Sequence, residues 1–207
     1  MKTISEARLY GIVDAGYVAL ADMVAMTRAL VEGGVDVLQL RAKNVPLAEV
    51  EKIARELLPV TRDGGVPFVI NDHAQIAAAV GSEGVHIGQE DGDLDTVRQM
   101  VGAQCFVGRS THSVAQAKAA MAEGADYIGF GPLYATGTKP DYVPIGLEDI
   151  REVHRFATCP VFCIGGINER TLPEVLAAGA RRVVIVSALL QAADVRQAVR
   201  EILDYGL

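Results

Sequence analysis

Short apolar runs alternate with longer, mixed segments from one end of the chain to the other. The short runs are apolar at successive positions rather than at every second position, which indicates strands that are buried on both faces and therefore lie in a parallel sheet. Eight strands are predicted, at residues 9–13, 36–40, 67–70, 84–87, 105–108, 127–130, 160–164 and 182–186.

The longer segments are rich in alanine, leucine, glutamate and arginine, as helices are. Glycines close several of them, which is typical of helix C-termini. Eight helices are predicted, at residues 19–32, 47–61, 74–80, 94–101, 114–122, 147–156, 171–178 and 192–205.

Eight strand–helix units within 207 residues predict an α/β fold, a single (β/α)8 TIM barrel domain over residues 1–207 with parallel strands inside and helices outside. An open doubly wound sheet is the competing arrangement, and it usually carries a glycine-rich fingerprint after its first strand. The segment Asp14-Ala15-Gly16-Tyr17 in that position lacks the fingerprint, so the barrel is favoured.

Composition narrows the function classes. Half of the residues are hydrophobic, no apolar run could span a bilayer, and the N-terminus lacks a signal core. Cys105, Cys159 and Cys163 show no metal-type spacing, so we expect reduced thiols in a cytoplasmic protein that does not bind membranes. The 26 acidic and 19 basic residues leave a net charge of −7, which disfavours a nucleic-acid binder.

In a barrel, chemistry belongs at the carboxyl ends of the strands and in the loops that follow them. Arg41 and Lys43 follow the second predicted strand and point the same way in extended chain, which suits a polyanion, although a solvated surface pair is the alternative. After the sixth strand, Thr136, Thr138 and Lys139 place hydroxyls beside an ammonium group, an arrangement that suits a phosphate.

Asp72 and Asp91 end the third and fourth predicted strands, which are neighbours in a barrel. Two carboxylates beside a bound diphosphate would repel it, and Mg2+ would resolve that conflict. Helix capping by Asp72 and Asp93 is the alternative explanation. After the seventh and eighth strands, Gly166 and Ser187 lie where such barrels often hold a phosphate.

The sequence assigns less specific roles to the histidines and serines. His112 follows the fifth strand and could act as an acid/base group, whereas His86 lies within a strand and is predicted to be packed and hydrogen-bonded. His154 is predicted to be exposed on a helix. Ser110 and Ser187 fit ligand contacts better than nucleophiles, because no activating base is assigned to either.

Taken together and in order, these motifs resemble those of the thiamine-phosphate synthase family from the second strand to the eighth. The motifs that carry the resemblance are Gln39-Leu40-Arg41-Ala42-Lys43, Ile70-Asn71-Asp72, His86-Ile87-Gly88-Gln89-Glu90-Asp91, Ser110-Thr111-His112-Ser113, Gly131-Pro132 with Thr136-Gly137-Thr138-Lys139, and Ile164-Gly165-Gly166-Ile167.

The resemblance implies an Mg2+-dependent transferase that condenses a pyrimidine diphosphate with a thiazole phosphate or its carboxylated form. It implies that the diphosphate substrate contacts Gln39, Arg41, Lys43, Asn71, Ser110 and Lys139, of which Arg41, Lys43, Lys139 and Ser110 are catalytic. It implies Asp72 and Asp91 as metal ligands, and Thr136, Thr138, Gly166, Val186 and Ser187 as contacts to the thiazole phosphate. Leu40, Ala42 and Gly137 lie inside the same motifs and are expected at the substrates.

Two residues depart from the family pattern. Ala42 stands where glutamate is common and is expected to point away from Arg41 and Lys43. Arg109 replaces a small or apolar residue, and it is expected either to alter the diphosphate pocket or to face outward. Two rival functions stay open, a thiazole tautomerase with His112 as acid/base and a non-catalytic sensor of a phosphate ligand, and so does pairing of barrels into a homo-oligomer.

Overall fold

The computed structural model describes residues 2–137 and 143–207. Eight parallel strands form a closed barrel in chain order, which confirms the predicted (β/α)8 fold. The strands are β1 (Leu9–Asp14), β2 (Val37–Arg41), β3 (Phe68–Asn71), β4 (Gly84–Ile87), β5 (Phe106–Thr111), β6 (Tyr127–Phe130), β7 (Val161–Ile164) and β8 (Val183–Ile185).

Helices alternate with the strands and cover the outside of the barrel. They are α1 (Met23–Gly33), which follows a 3-10 turn at Leu20–Asp22, α2 (Leu47–Asp63), α3 (Ala74–Val80), α4 (Leu94–Val101), α5 (Val114–Ala122), α6 (Ile150–Phe156), α7 (Leu172–Ala177), α8 (Ser187–Leu190) and α9 (Val195–Leu203). Over residues 2–137 and 143–207, none of the helices combines the length and the apolar character needed to cross a membrane.

The boundaries differ from the prediction at two places that matter for function. β5 continues to Thr111 instead of ending at residue 108, because Arg109, Ser110 and Thr111 still pair with β6. The helix α8 directly after β8 was not predicted, since four residues are too few to show a helical period.

The core has two layers, and successive residues of a strand enter different layers. Tyr10 and Ile12 of β1 belong to the apolar cluster inside the barrel, whereas Leu9 and Val13 belong to the larger cluster between strands and helices. This double burial explains why the strands are apolar at every position.

Large aromatic rings fill the barrel interior and set the floor of the cavity above it. The ring of Tyr127 can enter because its neighbour on β5 is Gly108, where an added Cβ would lie 2.1 Å from the ring. Tyr10 and Phe162 pack against it with ring centroids 5.9 and 5.6 Å away. A glycine on β5 thus positions a tyrosine hydroxyl beneath the mouth of the barrel.

Candidate active site

A cavity opens at the carboxyl ends of the strands, on the axis of the barrel. Its apolar walls include Ile12, Phe162 and Ile164. Eight of the residues predicted to contact substrates line it: Gln39, Arg41, Asn71, Ser110, Thr136, Gly166, Val186 and Ser187. Side chains that are far apart in the sequence therefore converge on one space, as the barrel prediction requires.

Arg41 is held by a buried partner that sequence reasoning missed. Asp14 ends β1 directly opposite Arg41 on β2, and it is only 1% exposed. Its carboxylate accepts a 2.6 Å hydrogen bond from the Arg41 guanidinium and a 2.8 Å bond from the Gly16 N–H. The available signal was the position of Asp14, an acidic residue at the end of a strand that neighbours the strand of Arg41.

The two predicted metal ligands adjoin each other. Asp72 lies 3.3 Å from the Lys43 ammonium, and its backbone has a left-handed φ of 65°. Burial raises the pKa of Asp72, the neighbouring charge of Asp91 raises it further, and Lys43 opposes both effects. Asp91 is oriented by the Gly88 N–H, which donates to its carboxylate at 2.7 Å.

Helix capping does not account for this pair of carboxylates. Asp93, rather than Asp72 or Asp91, caps α4 by accepting the Thr96 N–H at 2.8 Å. In residues 2–137 and 143–207, no three His, Cys, Asp or Glu side chains cluster tightly enough to hold a metal alone. Two carboxylates with open positions fit Mg2+, which takes most of its remaining ligands from water and substrate oxygens.

A chain of hydrogen bonds connects Gln39 to Ser110 through the barrel interior. The Gln39 amide donates to the Tyr10 hydroxyl at 2.8 Å, and that hydroxyl lies 3.0 Å from the Tyr127 hydroxyl. His86 follows, with Nδ1 2.9 Å from the Tyr127 hydroxyl and Nε2 2.9 Å from Ser110 Oγ. The prediction that His86 is packed and hydrogen-bonded is confirmed.

One direction of this chain gives every tyrosine hydroxyl hydrogen an acceptor. Gln39 donates to Tyr10, Tyr10 to Tyr127, and Tyr127 to Nδ1 of His86. Burial raises the pKa of both tyrosines, so both keep their protons. In this direction Nε2 of His86 donates to Ser110 Oγ, and the Ser110 hydroxyl can donate to a ligand.

His112 also lines the cavity. Its Nδ1 lies 2.5 Å from the carbonyl oxygen of Gly131 and therefore carries a proton, which leaves Nε2 as the acceptor in the neutral ring. The Gln116 side chain accepts the His112 N–H at 2.7 Å and holds the backbone there.

The loops after β6 and β7 are locked together. Leu133 and Tyr134 donate backbone N–H bonds to the carbonyls of Ile164 and Gly165 at 2.9 and 3.1 Å. A Cβ at Gly131 would lie 2.0 Å from the Ile164 carbonyl oxygen, so only glycine fits. This contact fixes the base of the loop that leads to Thr136.

Other predicted site residues lie away from the cavity wall. Leu40 and Ala42 are buried in the cluster between strands and helices, so the Ala42 side chain does point away from Arg41. The Lys43 side chain is 51% exposed outside the cavity. Gly137 lies near the Tyr17 hydroxyl, which an added Cβ would meet at 3.4 Å. Thr138 and Lys139 lie outside the described residues.

Arg109 faces outward from the barrel, the second of its two expected orientations, and it is buried there: it is 8% exposed and donates to the carbonyls of Gln89 and Gly92. One expectation needs correction. His154 is not exposed, because α6 turns it towards Arg181 and Arg182. Burial, followed by these two positive charges, lowers the pKa of His154 to about 4.

Comparison with known proteins agrees with the geometry. Residues 9–189 match the family profile described as thiamine monophosphate synthase. Two relatives named thiamine-phosphate synthase, from Herpetosiphon aurantiacus and Chloroflexus aurantiacus, are 42% and 38% identical over 96% of this chain, and the matches cover 96% and 92% of the relatives.

A solved structure supports the same conclusion. Thiamine phosphate pyrophosphorylase from Pyrococcus furiosus superposes with a TM-score of 0.87 at 32% identity, over 98% of each chain. The match is nearly end to end, and the family profile covers most of the chain. The chain therefore belongs to the thiamine monophosphate synthase family of transferase enzymes.

Proposed function

We propose that the chain joins hydroxymethylpyrimidine diphosphate to a thiazole phosphate, or its carboxylated form, in an Mg2+-dependent reaction that releases diphosphate. The observation that carries the proposal is the convergence of Arg41, Asn71 and Ser110 on one cavity, with the adjoining carboxylates of Asp72 and Asp91 beside Asn71. The related proteins are named for the corresponding product.

The cavity has two chemically different sides, which suits two substrates. β2, β3 and β5 contribute the amide, guanidinium and hydroxyl groups of Gln39, Arg41, Asn71 and Ser110. The segments after β6, β7 and β8 contribute Thr136, Gly166, Val186 and Ser187, which are hydroxyls and accessible backbone. In the proposal, the first side holds the pyrimidine diphosphate.

The second side holds the thiazole phosphate. Gly166 has a φ of 68° and packs against Tyr134, so its backbone approaches the cavity without an intervening side chain. Backbone N–H groups exposed in this way are common donors to phosphate oxygens. Ser187 adds a hydroxyl from the start of α8.

The chain's cationic groups stabilise the leaving group. The bond between the pyrimidine methylene carbon and the diphosphate oxygen breaks, and its electron pair leaves with the diphosphate. Arg41, fixed by Asp14, and Lys43 offset the charge that develops there. Lys139 is proposed to join them.

No protein base is required for bond formation. The aminopyrimidine ring spreads the positive charge left on the methylene carbon. The thiazole nitrogen already has a lone pair, which forms the new carbon–nitrogen bond without a proton transfer. His112 therefore needs no role in the step, and the names of the related proteins support condensation rather than the tautomerase alternative.

Asp72 and Asp91 are the groups that would hold Mg2+. Burial and then the nearby charge of Asp91 raise the pKa of Asp72, and a bound cation would relieve the repulsion that causes part of this shift. When bound, Mg2+ supplies Lewis-acid stabilisation of the departing diphosphate.

Incubation with both phosphorylated substrates tests the proposal. With Mg2+ we expect thiamine phosphate and diphosphate in equal amounts, and we expect a chelator to stop the reaction reversibly. No thiamine phosphate from both substrates and Mg2+ would contradict the proposed condensation. Turnover of the thiazole phosphate alone would indicate a tautomerase, and binding without any turnover would indicate a sensor.

A further inference from the structure

We propose that Arg109 is a positioning residue that holds the loop of residues 88–93, and with it Asp91, at the mouth of the cavity. The inference rests on the proposed function, because that function gives Asp91 its role as a metal ligand. Arg109 itself does not line the cavity and contacts the loop instead.

The strand geometry determines where Arg109 can reach. Ser110 faces the cavity, so the preceding residue on β5 faces the opposite side of the sheet. There the Arg109 guanidinium donates to the Gly92 carbonyl at 2.6 Å and to the Gln89 carbonyl at 3.2 Å. These two carbonyls bracket Asp91 in the sequence, so one planar group fixes the backbone on both sides of the carboxylate.

Other contacts of the loop involve its own side chains, including Asp93 at its end, which accepts the Thr96 N–H at 2.8 Å. Gln89 donates from its side chain to the Ser110 carbonyl at 2.5 Å, and the Gly88 N–H donates to Asp91. Gly92 has a φ of 104°, a conformation that favours glycine, and glycine leaves the backbone free to take others when the contacts that hold it are lost. Without Arg109, two carbonyls lose charged donors, and the direction of the Asp91 carboxylate is no longer set by β5.

Arg98 provides a matched control for a purely structural role. It lies on α4 and donates to the carbonyls of Cys105 and Gly124 at 3.0 and 3.2 Å, and to the Asp126 carboxylate at 2.6 Å. These partners precede β5 and β6, so they lie at the opposite end of the barrel from the cavity. Loss of Arg98 should cost stability without moving Asp91.

The test measures Mn2+ binding to the intact chain in the presence of inorganic diphosphate, by the electron paramagnetic resonance signal of free Mn2+. Mn2+ stands in for Mg2+ because both prefer oxygen ligands. We expect Arg109→Met to weaken binding about 10-fold, as loss of an outer-sphere partner typically does. Arg109→Lys can reach one carbonyl, so its Mn2+ affinity should lie between those of the parent and Arg109→Met. Arg98→Met should bind Mn2+ as tightly as the parent does.

Two further readouts separate positioning from general destabilisation. Hydrogen exchange should rise in residues 88–93 of Arg109→Met and stay unchanged there in Arg98→Met. The Mg2+ concentration for half-maximal activity should rise in Arg109→Met, while the rate at saturating Mg2+ stays close to that of the parent. If Arg109→Met does not fold, Arg109→Lys carries the same comparison.

Asp91→Ala distinguishes failure of this inference from failure of the proposed function. Parent-like Mn2+ affinity in Asp91→Ala would overturn the proposed metal site. Weakened binding in Asp91→Ala together with parent-like binding in every folded Arg109 variant would overturn the positioning role alone.

Discussion

At the scale of single residues, the buried contact between Asp14 and Arg41 decides how the cavity presents its positive charge. The two groups end neighbouring strands, and the Arg41 side chain is 12% exposed. A guanidinium held by a carboxylate on one side is fixed in direction, which sets how it faces a ligand in the cavity. Positioning of charge in this way stabilises a departing diphosphate and is a large part of catalysis.

Asp14→Asn should lower kcat/KM for the pyrimidine diphosphate about 100-fold, because a neutral amide holds Arg41 less firmly than the carboxylate does and small misplacements are costly. Steady-state kinetics with varied pyrimidine diphosphate measure this. Asp126→Asn is the control, since Asp126 pairs with Arg98 at the other end of the barrel, with a 2.6 Å contact. Equal kinetic losses in both variants would show that the Asp14 effect is not local.

His154 makes a separate prediction about stability and pH. Its pKa is lowered to about 4 in the folded chain from an ordinary 6.5, so the unfolded chain binds the proton more tightly. The contribution of neutral His154 to the free energy of unfolding is therefore fully present above the pKa of the unfolded chain. It is lost as the pH falls from about 6.5 towards 4.

Replacement by His154→Gln should remove this contribution. When the pH falls from 7 to 5, the free energy of unfolding of the parent should fall by about 1 kcal/mol more than that of the variant. This figure allows for the partial exposure of His154. Urea unfolding at both pH values measures it. A constant difference would mean that His154 keeps its ordinary pKa in the folded chain.

At the scale of elements, the most informative departure from the sequence prediction is the length of β5. Arg109, Ser110 and Thr111 look like the start of a loop, yet they pair with β6. Strand pairing fixes the alternation that turns Ser110 into the cavity and Arg109 away from it. Local sequence could not reveal this, because the pairing partner supplies the hydrogen bonds.

The roles of Asp14 and of the hydrogen bonds that connect Gln39 to Ser110 could not be predicted from the sequence, for a related reason. Their roles depend on register between strands that are distant in the sequence, such as the contact of Tyr10 with Tyr127 at 3.0 Å. By contrast, the barrel itself followed from patterns within each segment, and the motifs at strand ends located Gln39, Arg41 and Asn71. Side-chain partners require coordinates, whereas strand order and polarity do not.

The chain of hydrogen bonds from Gln39 to Ser110 passes through Tyr127, so we expect Tyr127→Phe to impair catalysis. Loss of the Tyr127 hydroxyl removes the 2.9 Å contact with Nδ1 of His86, which weakens the control of the His86 tautomer and of the Ser110 hydroxyl. We expect kcat/KM to fall about 10-fold, the typical effect of one misplaced hydrogen bond. Tyr205→Phe, at an exposed tyrosine, should have no effect. Equal rates for the parent and Tyr127→Phe would contradict the orienting role.

At the scale of the whole molecule, residues that stabilise the barrel and residues proposed to bind substrates lie at opposite ends of it. One end of the barrel carries Arg98 and Asp126, which tie the entries of β5 and β6 together. The other end carries the cavity, Arg41 and the adjoining carboxylates of Asp72 and Asp91. Lys43 offsets part of the repulsion between these like charges through its 3.3 Å contact with Asp72, and the proposed Mg2+ would offset more of it.

The central claim is that the acidic and cationic groups surround one shared metal–diphosphate. The most direct measurement is Mn2+ affinity with and without inorganic diphosphate in the parent, Arg41→Met and Asp72→Ala. If the claim holds, diphosphate strengthens Mn2+ binding in the parent. Either substitution removes most of that enhancement, because each removes a proposed contact to one of two ligands whose binding is coupled. An enhancement that survives unchanged in Arg41→Met or in Asp72→Ala would contradict the claim.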